Sequence, residues 1–130
     1  MDLDEIVQGE MSPDSGGKRV APMKTADEGA KDVLPGGTIA LRVYWGRFPA
    51  GQWILPFTVG SPVETSTAVF VSIGESISPG SVTAGTLVGG ATLTVDNVGT
   101  PRRGQIDVGI TVDWGSPIAV QLNYLIVPAP

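Results

Sequence analysis

Beyond residue 37 the chain alternates between apolar and polar positions. In "TIALRVYW" (38–45), Ile39, Leu41, Val43 and Trp45 share one face. "GQIDVGITVDW" (104–114) sends Ile106, Val108, Ile110, Val112 and Trp114 inward and Gln105, Asp107, Thr111 and Asp113 outward. "IAVQLNYLIV" (118–127) aligns Ile118, Val120, Leu122, Tyr124 and Ile126. "STAVFVSI" (66–73) aligns Val69, Val71 and Ile73, and "ATLTVDNV" (91–98) aligns Leu93 and Val95. A period of two predicts strands with one face buried and one solvated. "QWILPFTV" (52–59) is a sixth strand, in which Pro56 lacks an N–H and so predicts an edge or a bend. "SVTAGTLV" (81–88) is a less regular seventh.

The segments between these runs carry turn chemistry: "FPAGQ", "GSPVE", "SPGS", Gly89-Gly90, "DNVGTPRRG" and "WGSP". Glycine and proline together make 29 of 130 residues, which points to many turns and little helix. The expected fold is all-β: a small antiparallel β-sandwich or jelly-roll-like domain of about seven strands. No internal repeat is visible.

The first 35 residues differ. They hold 12 of the 21 charges, with a net charge of −4, and none of the eight aromatic residues. The composition changes at Pro35-Gly36-Gly37. Residues 1–35 therefore read as an extended N-terminal arm that depends on a partner for its order, and residues 36–130 as the β-sandwich domain. Two short helical turns are expected in the arm. "DLDEIV" groups Leu3, Ile6 and Val7, and "TADEGAKDVL" offers Thr25 as an N-cap with Glu28 three residues on, a capping-box spacing. Neither is long enough to persist alone in water. Between them "SPDSGGKRVAP" (12–22) reads as a tether whose charged handles after Asp14 are Lys18 and Arg19. The arm's expected contacts with a partner are Leu3, Ile6, Val7, Lys18, Arg19, Val33 and Leu34.

Composition narrows the chemistry. The absence of cysteine removes disulfides and thiolate ligands, and the absence of histidine removes the commonest general base and metal ligand. All three lysines (Lys18, Lys24, Lys31) fall in the arm, a poor place for a catalytic base. Asp107 and Asp113 share a strand face, yet six residues separate them by about 20 Å. A glycosidase pair needs about 5–9.5 Å. "DLDE" (2–5) and "VDN" (95–97) are loose acidic clusters that match no calcium loop, and "SGGKR" lacks the spacing of a phosphate loop. No enzyme activity, cofactor or metal is expected. The net charge of −5 argues against nucleic acid, no run is long enough to span a membrane, and "MDLDEIVQGE" has no apolar core of a secretion signal.

Two clusters could make contacts. "YWGRFPAGQW" (44–53) gathers Tyr44, Trp45, Arg47, Phe48 and Trp53, which suit an interface or a stacked ligand if exposed, or the ends of a core if buried. "TPRRG" puts Arg102 and Arg103 at a hairpin tip, free to meet an acidic neighbour. An all-β domain with sparsely charged Thr/Ser/Gly-rich outer faces and an extended arm leads to the expectation of a non-enzymatic structural protein of a virus particle. At 95 residues the domain suits an accessory role, such as a phage capsid decoration (cement) protein whose arm staples neighbouring subunits. The expected partners are copies of itself, as a trimer, and a larger shell such as a major capsid protein, in a virion assembled in the host cytoplasm. The alternative is a carbohydrate-binding or adhesion module using the Tyr44–Trp53 stretch.

Overall fold

A computed structural model of the chain describes residues 6–11, 16–60, 63–77 and 85–128. Among these are eleven strands. Four short ones precede the body: β1 (Glu10–Met11), β2 (Arg19–Val20), β3 (Lys24–Thr25) and β4 (Ala30–Val33). The body holds β5 (Ile39–Phe48), β6 (Gly51–Thr58), β7 (Ala68–Ser76), the short β8 (Thr86–Leu87), β9 (Thr92–Arg102), β10 (Gln105–Asp113) and β11 (Ile118–Val127). One sheet has the order β1-β2-β6-β10-β9, with β3 also on β6, and the other β4-β5-β11-β7-β8. Every pairing between these strands is antiparallel except those of β2 and β3 with β6.

The fold is all-β, and the six regular runs lie where their alternation placed them. The count of about seven strands is too low. The extra strands, β1 to β4, come from the first 35 residues. They are two to four residues long and are made by pairing with an existing edge, so they carry no period of their own to read. Of the seventh run only Thr86–Leu87 is a strand, and residues 81–84 lie outside the described residues.

The two sheets meet through their apolar faces. Leu41, Val43 and Trp45 of β5 and Leu122, Tyr124 and Ile126 of β11 face Trp53, Leu55 and Phe57 of β6 and Ile106, Val108 and Ile110 of β10. Aromatic rings tie the layers together. Phe57 stacks on Tyr124 with centroids 4.7 Å apart, and Trp45 meets Phe57 edge-on at 6.1 Å. Each such fully buried side chain contributes about 1.5–3 kcal/mol relative to an exposed one. Trp114 departs from its expected inward place. The alternation ends at Val112, and Trp114 lies beyond β10, 44% exposed, with its ring over Gly90.

The segment expected as an arm waiting for an outside surface lies, where described, on its own domain. The Val7 N–H donates to the Arg47 carbonyl at 2.8 Å, and Ile6 bridges Arg47 in parallel. Ile6 and Val7 are thus extended rather than helical, and Leu3 lies outside the described residues. β2 and β3 run parallel to β6, in register Arg19 with Trp53 and Lys24 with Phe57. β4 runs antiparallel along β5. This segment, a strap described over residues 6–11 and 16–33, is too polar to build a core, but it needs none, because it occupies the open edges of β5 and β6. Pro56 marks this arrangement. The Ile54 carbonyl faces the strap, accepting from the Ala21 N–H at 2.9 Å, so Pro56, two residues on, faces the same way. With no N–H there, strap pairing breaks between β2 and β3. The expected capping turn is present in shorter form. Thr25 precedes a single 3-10 turn, Ala26–Glu28, and its N–H donates to the Glu28 carboxylate at 2.7 Å.

Candidate functional site

The aromatic stretch is core rather than a platform. Phe48 and Trp53 are fully buried and pack edge-to-face at 5.0 Å, and the Trp53 indole N–H donates to the Pro49 carbonyl at 3.1 Å. The buried Trp45 donates its indole N–H to the Tyr124 hydroxyl at 2.9 Å. Burial pushes the Tyr124 phenol well above its ordinary value, with the Trp45 hydrogen bond acting weakly the other way. Tyr44 and Arg47 are half-buried. The exposed aromatic strip that a stacked ligand requires is therefore not formed by this stretch.

What the stretch does form is a seat for the strap. β5 holds an irregularity at Trp45-Gly46, where the pairing with β11 shifts by one residue. Gly46 has φ +118°, and a Cβ there would lie 2.6 Å from Val7 Cγ2. Gly9 runs so close over the Trp53 ring that no side chain fits, and a Cβ on Gly29 would lie 2.7 Å from the Arg42 carbonyl oxygen. Glycine is therefore required at these three contacts for steric reasons. Strap cations cover the two tryptophans, with the Arg19 guanidinium 5.3 Å from the Trp53 ring and the Lys24 ammonium 5.9 Å from that of Trp45. Thus Ile6, Val7 and Arg19, expected to touch a partner, touch this chain. Lys18 is half-buried beside Asn97 and Gly109 on the outer face of the first sheet. Val33 and Leu34 remain exposed.

A second surface escaped the sequence reading. On the outer face of the second sheet, one cross-strand row runs Asp32, Ala40, Leu125, Phe70. Phe70 is 63% and Leu125 37% exposed. The next row runs Ala30, Arg42, Asn123, Ser72. Its polar groups are largely occupied: Arg42 pairs with Asp32 at 3.0 Å, and the Asn123 amide donates to the Ser72 hydroxyl at 3.2 Å. The result is a shallow apolar groove with a neutralised rim. A signal for it exists in the sequence. Phe70 and Leu125 are apolar residues at the polar phase of "AVFVSI" and "NYLIV", where alternation calls for a solvated side chain.

The remaining candidates are occupied locally. Arg103 pairs with Glu64 at 2.9 Å, while Arg102 is exposed. The Asp96 carboxylate, from the acidic cluster at 95–97, accepts from the hydroxyls of Thr94 at 3.1 Å and Thr111 at 2.6 Å. The cluster at 2–5 lies outside the described residues. Among the described residues no group of three or more acidic side chains is placed to hold a metal ion, and no helix is long and apolar enough to cross a membrane. Asp27 is held below its ordinary carboxyl value, first by the Thr25 hydroxyl and then by its own backbone N–H. Comparison with protein-family models, with curated proteins and with solved structures finds no match to this chain.

Proposed function

We propose that the chain is a non-enzymatic structural protein of a virus particle, most simply a phage capsid decoration (cement) or other accessory head protein whose N-terminal segment staples neighbouring subunits. The observation that carries this reading is the strap. Its paired segments are two to four residues long and lie along the edges of both sheets. An element that binds strand edges through backbone hydrogen bonds can bind the same edges of a neighbour, which is how extended segments join subunits. The exposed apolar pair Phe70 and Leu125, on the outer face of the sheet that β4 edges, adds support. It offers a shallow apolar contact, its rim charges already paired, for a larger protein shell.

In this reading the domain is a jelly-roll-like sandwich, copies of the chain meet as a trimer, the shell is a major capsid protein, and the working location is the virion. The carbohydrate-binding or adhesion alternative relied on Tyr44, Trp45 and Trp53; both tryptophans are buried and Tyr44 is half-buried, so no observation favours it.

Mass spectrometry of density-gradient fractions from particles released by cells carrying the gene tests the reading. The chain is expected to band with the particles, and Phe70→Asp, a change at an exposed position, is expected to reduce its occupancy at least tenfold while the protein still folds. Wild-type chain found only at the top of the gradient overturns the proposal.

A further inference from the structure

The strap is fitted closely along its path. Among the described residues, the strap gives the buried core Ala21 alone, with Val7 and Ala26 packed half-buried against it, and every other buried core residue lies at or beyond Ile39. The body therefore keeps its core when the strap leaves, while the β5 and β6 edges lose their partners. The far edge of the first sheet is managed differently. The register of β9 on β10 slips twice, and β9 carries Pro101, both of which blunt an edge. The β5 and β6 edges thus rely on the strap for cover.

The link between strap and body is the turn Leu34–Thr38. It is closed by the Leu34 N–H to the Thr38 carbonyl at 2.7 Å and the Gly37 N–H to the Leu34 carbonyl at 3.1 Å. Gly36 and Gly37 both sit at φ +83° and lean on no core atom. Opening this turn breaks two surface hydrogen bonds and moves no buried residue. Extended, its five residues span about 17 Å, which turns the β4–β5 hairpin into a single strand pointing away from the body.

We propose that the strap is exchangeable between copies of this chain: with the turn open, the strap of one copy takes the β5 and β6 edges of another in the register it holds at home. Complementarity is guaranteed, because the intrachain seat and the interchain seat are the same surface. The seat is also selective. The close passages of Gly9 over Trp53, Gly29 over Arg42 and Val7 over Gly46 admit one register and exclude an unrelated peptide with side chains at those points. Reciprocal exchange closes a dimer, and head-to-tail exchange closes a ring such as a trimer. The inference rests on the assembly reading above and names its partner and its joint.

Because the chain has no cysteine, the test is clean. Asp32 and Ala40 are directly paired across β4 and β5 on the outer face. Two single variants, Asp32→Cys and Ala40→Cys, are made, one isotope-labelled. They are unfolded, refolded together at high concentration and oxidised mildly. Exchange predicts a mixed disulfide between the variants, at least tenfold above that of Asp32→Cys mixed with Thr111→Cys, whose thiol lies on the other sheet. Tryptophan fluorescence checks that each variant folds. Equal yields in the two mixtures overturn the proposal. So does a doubly substituted Asp32→Cys/Ala40→Cys chain that forms only intrachain bonds at every concentration. If the crosslink fails while the chain still bands with particles, exchange is wrong and the assembly reading stands. A crosslink in a chain absent from particles supports exchange and removes the virion role.

Discussion

Tyr124 allows a quantitative test of how the two sheets are held together. It stacks on Phe57 and accepts the buried Trp45 N–H at 2.9 Å. Tyr124→Phe removes one oxygen and keeps the ring, so packing changes little. The loss is an acceptor, and a buried donor left without one costs about 1–3 kcal/mol. For a chain of this length that is about 3–5 °C in Tm per kcal/mol. The pH dependence sharpens the test. Burial holds the folded-state phenol far above its ordinary value, which is about 10. The unfolded chain ionises above that pH while the folded one stays neutral. Stability is whole below about pH 10 and falls by about 1.4 kcal/mol per pH unit above it. The variant has no such group at this site. Its deficit at pH 7 is therefore erased within about one to two pH units above 10, and the two stability curves cross near pH 11 to 12. Urea unfolding followed by tryptophan fluorescence from pH 7 to 12 measures both. Stabilities equal within about 0.3 kcal/mol at pH 7, or curves that stay parallel up to pH 12, refute the reasoning.

Three further outcomes follow from named contacts. Gly46→Ala places a Cβ 2.6 Å from Val7 Cγ2 at a φ of +118°; it is expected to cost about 2 kcal/mol in urea unfolding and to speed protease cleavage near Val7, and wild-type values for both exclude a fitted seat. Asp32→Asn removes an exposed pair with Arg42 and is expected to change stability by less than about 1 kcal/mol, so a larger loss means the pair does more than cover the surface. Because the Thr25 hydroxyl is the first cause of the lowered Asp27 titration, Thr25→Ala is expected to return that carboxyl toward its ordinary value in a carbon-detected NMR titration, and an unmoved midpoint counts against that cause. The stability this contact supplies is present at neutral pH and is lost as pH falls through the folded-state value.

The body was legible because its core faces are continuous. Ile106, Val108, Ile110 and Val112 alternate without a break, and all four are buried. The same rule misjudged Trp114, because a strand's period says nothing about where the strand stops. It also left Phe70 and Leu125 unremarked, since both break the alternation only as single residues. The aromatic stretch at 44–53 was readable as either core or platform. Composition alone could not separate these, because burial depends on what the opposite sheet supplies, and Phe57 and Tyr124 come from distant parts of the chain.

The N-terminal segment shows where local information ends. Its low apolar content and its glycines establish that it cannot stand as a unit of its own, and Thr25 with Glu28 establishes a capped turn. Where it lies is a matter of edges. Strand pairing uses backbone groups that nearly every residue carries, so the choice of β5 and β6 is written in no side-chain pattern of the segment. It is decided by the assembled sheets, which leave those two edges open, and by three glycine contacts that exist only once strap and body are together. Alternation along the chain determined the two sheets and their core, because burial of alternate residues is a local pattern. The seat of the strap and the exposed row on the second sheet arise only from strands brought side by side in space.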